Sequence, residues 1–122
     1  MNLKETRQHI ATTVTAQVEG VTVHPYQLSL KAFHGWVEFD EIGYTDQELM
    51  YGEVGLTVNV NILIAADRPT FERLSDDMTP DLIAACQAAG GRATVVRPYT
   101  ETVKGTSLYA LSATFYTESE AA

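Results

Sequence analysis

The chain has 122 residues, 45% hydrophobic and 20% charged, a balance that disfavours disorder, collagen-like repeats and disulfide-stapled scaffolds and sets one folded domain as the default. Sixteen acidic residues against eight basic ones leave a formal net charge of -8, which argues against nucleic acid and anionic membrane as binding partners. A single cysteine, Cys86, cannot form an internal disulfide, and the polar first ten residues, with Lys4, Glu5 and Arg7, carry no apolar run of a secretory signal or membrane span, so the protein is expected to act in the cytoplasm or to leave it by a route other than a signal peptide.

The first segment reads as an amphipathic helix with Leu3, Ile10, Val14 and Val18 on one side. Asn2 is its N-cap, and Glu5, three residues later, forms a variant of the capping box. Gly20 is where the chain leaves the helix in a left-handed conformation. A short strand over Val21-Thr22-Val23 ends near His24-Pro25, and a second covers Ala32 to Phe39, with Phe33, Gly35, Val37 and Phe39 on one face and His34, Trp36 and Glu38 on the other. Asp40 to Glu53 loses any period and reads as a long loop with an apolar insert, Leu49-Met50-Tyr51.

The plainest element follows. Val54, Leu56, Val58, Val60, Ile62 and Ile64 fall at every second position, which predicts a long strand with one dry and one mostly wet face. Asp67-Arg68-Pro69 is a helix-start signal, and Phe71, Leu74, Met78, Leu82 and Cys86 continue an apolar stripe at helical spacing. Pro80 removes one amide donor, so the helix is expected to stop and restart there, with Thr79 as cap and Pro80 at the first helical position. Gly90-Gly91 ends the helical region, Arg92 to Tyr99 returns to strand, Thr100 to Thr106 turns around Gly105, and Ser107 to Thr117 is the last strand. The expectation is an α+β fold: a mainly antiparallel sheet of four to five strands, with an N-terminal helix and a central helix or broken helix pair on one face. One domain spans residues 1–117, and 118–122 form a frayed tail.

Chemistry-bearing residues are sparse. His9, His24 and His34 stand in no fixed motif, and Cys86 lies on an apolar stripe toward a helix C-terminus, where a thiolate is disfavoured. The acidic run Glu38, Asp40, Glu41, Asp46, Glu48 and Glu53 contains no lysine or arginine, yet it lacks the ligand spacing of a calcium loop. A divalent-ion-dependent ligand domain built on Glu38, Asp40 and Glu41 is the minor alternative. Asp76, Asp77 and Asp81 are explained by a helix N-terminus and by Arg73 pairing with Asp77. Phosphate-binding glycine motifs and a nucleophile elbow are both absent. No catalytic residue, cofactor or metal site is expected.

Association is the better use of the aromatic residues, which have the composition that interfaces favour. At about 3.3 Å per residue the long strand reaches roughly 40 Å, more than a small core needs, so part of it is expected to project. That strand and the Leu-Met-Tyr loop expose surface that another subunit covers, and Tyr44, Leu49, Met50 and Tyr51 are the expected interface residues.

The helix ending before Gly20-Val21, the mid-chain strand pair, the regular strand from Val54 to Ala65, Asp67-Arg68-Pro69 leading into helix, and the closing strand through Tyr109 to Phe115 together resemble the tail terminator (tail-completion, minor tail) proteins of long-tailed bacteriophages and related gene transfer agents. The resemblance covers nearly the whole chain and rests on the order and lengths of elements. It implies a non-enzymatic virion subunit, assembled in the host cytoplasm, that forms a hexameric ring on the head-proximal end of the tail tube. Such a ring stops tube polymerisation and offers a docking surface to the head. Its partners are its own copies, the tail tube protein and the head-tail connector or neck proteins, and DNA passes through the pore without being gripped. Another neck component, a head-tail joining or stopper protein, is the nearest alternative. No individual functional residue is carried over by motif.

Overall fold

A computed structural model describes residues 1–43 and 52–120. In chain order its elements are α1 (Leu3–Gln17), β1 (Thr22–His24), β2 (His34–Gly43), β3 (Glu53–Ala65), α2 (Arg68–Ala88), β4 (Arg92–Val103) and β5 (Thr106–Glu120). The strands form one sheet in the order β1-β2-β3-β5-β4, antiparallel throughout except for β1 beside β2, and both helices pack on one face. This is the expected α+β arrangement.

The alternation in β3 organises the interior. Val54, Leu56, Val58, Val60, Ile62 and Ile64 share one core with Ile10 and Val14 of α1, Phe71, Leu82 and Cys86 of α2, and Leu111, Ala113 and Phe115 of β5. Each large apolar side chain removed from water there contributes about 1.5–3 kcal/mol. β3 does not project. It is paired with β2 from Gly55 to Ile62 and with β5 from Glu53 to Ala65, so its length serves two long neighbours and its backbone groups are satisfied on both sides.

α1 begins as expected: Asn2 Oδ1 accepts from the Glu5 amide at 2.9 Å, and Glu5 Oε1 accepts from the Asn2 amide at 3.1 Å. Asp67 caps α2 by accepting from the Thr70 amide at 2.9 Å, and hydrogen bonding from the Thr70 side chain, then from this amide, holds the Asp67 carboxyl below its usual range.

α2 runs unbroken through Pro80, contrary to the expected restart. Pro80 and Asp76 are both exposed, so the carbonyl that loses its amide partner faces water. Thr79 does not cap a new helix; its hydroxyl donates to the Ser75 carbonyl at 2.7 Å. The apolar stripe on the opposite side stays continuous and keeps both halves on the sheet. Among the described residues the ion pair of one helical turn is Arg68 to Glu72, at 2.9 Å, rather than Arg73 to Asp77.

Three strand limits also differ. β2 continues through Asp40 to Gly43, because a bulge between Phe39 and Glu41 absorbs one residue. The bulge leaves Glu41 opposite Thr57 on the open face and Ile42 opposite Leu56 on the helix side. The last turn shrinks to Lys104-Gly105, with φ of 50° and 81°, as a two-residue hairpin of the primed type requires. β5 extends to Glu120, so Glu118 to Glu120 are sheet, not tail. Their order has a cause: Ser119 donates to the Met1 carbonyl at 3.0 Å and accepts from the Thr6 hydroxyl at 2.8 Å, while the Glu120 amide donates to the same carbonyl at 2.8 Å.

Gly35, opposite Ile62, sits where β2 and β3 meet most tightly; a Cβ there would fall on the Asn61 carbonyl oxygen. Gly35→Ala is expected to cost about 1–3 kcal/mol in urea unfolding, as overpacking does. Gly43→Ala, which meets nothing within 4 Å, is expected to be near neutral.

Candidate functional site

The expected interface residues Tyr44, Leu49, Met50 and Tyr51 lie outside the described residues. Among the described residues Met1 and Ile42 are exposed singly, and further exposed apolar residues fall at the two ends of the sheet, which are unlike. Beyond β1, residues 25–33 present Tyr26, Leu28, Leu30 and Phe33 to solvent, Leu28 with 77% of its surface exposed. This segment is anchored, not loose. Arg7 on α1 donates to the Val37 carbonyl at 2.7 Å, and its guanidinium lies 4.0 Å from the Phe39 ring centre and 4.8 Å from that of Tyr26.

Phe33 has a φ of 65°, a conformation that costs a bulky residue on the order of 1–3 kcal/mol. Hydrogen bonds on either side hold it there: its amide donates to the Leu63 carbonyl at 2.7 Å, and its carbonyl accepts from the Thr22 amide at 3.0 Å. The ring lines a groove of about 500 Å³ between the end of α1 and the middle of α2, together with Val18, Gly20, Leu74 and Met78. Glu19, Asp77 and Asp81 form the groove's acidic rim.

At the opposite end β4 is an edge strand of 12 residues, paired only with β5. Val95 is 45% exposed on it, and Arg97, two residues along the same face, is also exposed. Pro98 is tolerated because an edge strand has one row of backbone groups without a ladder partner.

The face of the sheet away from the helices carries a second, smaller cluster, Trp36, Leu63 and Ala110, with Tyr99, Val103 and Leu108 packed against it. Beside it lies a shallow polar hollow of about 380 Å³ lined by Asp40, Asn59, Asn61, Arg97, Tyr99, Ser112 and Thr114. Trp36 donates its indole N–H to Glu38 at 2.5 Å, and Thr114 donates to Asn59 at 2.7 Å. Among the described residues the Tyr99 hydroxyl is buried without a partner, and burial, reinforced by Glu101 and Glu38, raises its pKa, so it stays protonated as a donor rather than a base.

The other reactive groups are scattered. Burial pushes the Cys86 thiol up to about 12, which leaves it uncharged and inert at neutral pH. His24 Nε2 and His34 Nδ1 are 3.1 Å apart across β1 and β2 and share one hydrogen bond. Among the described residues no group of three or more His, Cys, Asp or Glu is placed to hold a metal ion, and no helix is long and apolar enough to cross a membrane.

Both ends of the sheet carry a signal in the sequence. Tyr26, Leu28 and Leu30 alternate with Gln27, Ser29 and Lys31 in a segment too close to Pro25 to pair as a central strand, and Pro98 marks its strand as an edge. Comparison with protein-family models finds no match, and comparison with curated proteins finds none.

Two measurements check this account. Tyr99→Phe removes an orphan donor and is expected to leave stability unchanged or raise it by up to about 1 kcal/mol in urea unfolding. His34 has its pKa held below the ordinary 6.5 by burial, then by Lys31 and His24, so the fold favours its neutral form. Stability from this group is therefore fully present above pH 6.5 and is lost as pH falls through the lower folded value. Melting temperature followed from pH 8 to 5 is expected to fall less steeply in His34→Gln than in the unaltered chain.

Proposed function

We propose that this chain is a structural assembly subunit whose copies join head to tail into a closed ring, and that the ring acts as a tail terminator on the head-proximal end of a tail tube. The observation that carries the ring is the inequality of the two sheet ends: an anchored apolar segment, 25–33, on one side and a long edge strand, β4, paired along one flank alone among the described residues, on the other. One self-complementary patch would give a closed dimer, whereas two different patches on opposite sides favour a heterologous contact, which makes a ring where its rotation closes and a filament where it does not; the proposed ring is the closing case. The scattered reactive groups fit a non-enzymatic role that needs no cofactor. A net charge of -8 suits a channel that DNA crosses without sticking, because like charges repel across the pore. The tail tube protein and the neck proteins above it are the partners, and the virion is the location.

The experiment that tests this reading is electron microscopy of the purified chain, joined to tail length in particles that lack it. Rings in the first and overlong tails in the second are expected. Tails of normal length on headless particles point to the other neck role, a joining or stopper protein. Phe33→Gly gives a separate check, since glycine adopts the left-handed conformation freely. It is expected to hold or raise the melting temperature while weakening ring formation at least tenfold in sedimentation, a combination that general unfolding cannot produce.

A further inference from the structure

The groove between α1 and α2 has two properties that together restrict its occupant. Its floor, formed by Phe33, Leu74 and Met78 over the buried Val18, is apolar, and the space beside Gly20 is open for 4 Å around the position a Cβ would take. Its rim carries Glu19, Asp77 and Asp81, all exposed and none in an ion pair among the described residues. An occupant that places a small apolar side chain on the floor and a cation at the rim gains from both. An anionic occupant is repelled.

The chain itself offers one such combination on an accessible strand. Of its eight lysines and arginines, Arg7 is held by the Val37 carbonyl, while Arg68 and Arg92 are paired with Glu72 and Glu118. Arg97 is exposed, forms no ion pair among the described residues, and sits two residues from the exposed Val95 on the same face of β4. The groove borders Phe33 and the end of α1, on the β1 side of the sheet, and β4 is the far edge, so the two cannot meet within one molecule.

We infer that the acidic-rimmed groove receives the β4 edge of a second copy of this chain, with Val95 on the Phe33-Leu74-Met78 floor and Arg97 against the Asp77 and Asp81 carboxylates. This rests on the head-to-tail reading above and adds which side chains make the contact. It also fixes the polarity of the ring: each subunit gives a strand edge to one neighbour and takes one from the other.

Reciprocal charge reversal tests it, with mass followed by analytical ultracentrifugation of the full chain. Arg97→Glu alone and Asp77→Arg with Asp81→Arg are each expected to weaken self-association at least tenfold. All the changed positions are exposed, so melting temperatures are expected to stay level and rule out misfolding. An equal mixture of the two variants is expected to reassemble, because each groove then faces a strand of opposite charge. Assembly of the unaltered chain is expected to weaken as salt rises. If the unaltered chain forms rings and both reversals leave their mass unchanged, this contact is wrong and the ring reading stands. If both reversals dissociate the rings and the mixture stays dissociated, the two sites do not face each other and the contact is likewise wrong. An unaltered chain that is monomeric at every concentration overturns the contact and the solution ring together.

Discussion

The six apolar side chains on one face of β3 are the constraint from which the architecture follows. A strand with one continuous dry face needs cover on that face, and α1 and α2 provide it. A central strand also needs a partner along each flank, and β2 and β5 are long enough to satisfy nearly every residue. Among the described residues the sheet ends in a three-residue strand on one side and, on the other, a 12-residue strand paired along one flank alone.

The helix-free face shows how little cover a small sheet requires. Trp36 is almost wholly buried there although no helix lies over it, because the β4–β5 hairpin brings Tyr99, Val103 and Leu108 against its cluster. The indole proton goes to Glu38, which keeps a carboxylate close to the hollow without freeing it for chemistry. Within the hollow Thr114 answers Asn59, and the Tyr99 phenol, buried without a partner among the described residues, stays protonated.

What could be read from the sequence tracks how local each signal is. The capping box at Asn2 and Glu5, the Asp67 cap and the apolar face of β3 are all decided within a few residues and are present as read. The face of β3 expected to be mostly wet is not: Gly55, Asn61 and Leu63 are buried and Thr57 and Asn59 half-buried, because Trp36, Ala110 and the β4–β5 hairpin cover that side. The restart at Pro80 was a sound local inference overruled by a tertiary effect, since the stripe through Met78 and Leu82 binds the helix on both sides of the proline. The bulge at Asp40 hid the second half of β2 because it shifts the alternation by one, so Phe39 and Ile42 fall out of step although both face the helix side. The order of Glu118 to Glu120 depends on Met1 and Thr6, more than a hundred positions away, and no window along the chain contains that pairing. The surfaces argued to bind other copies were the least legible, because their roles depend on which strands end up at the margins.

Pro98 sits near the middle of the one long bare margin, with residues of β4 on either side of it. A proline nitrogen has no hydrogen to give, so a strand laid alongside meets a gap in the row of donors and cannot zip from end to end. Copies of the chain are thereby steered away from stacking backbone on backbone into fibrils. Any contact made at that margin is then left to side chains, which read shape and charge where an uninterrupted ribbon would pair with any strand.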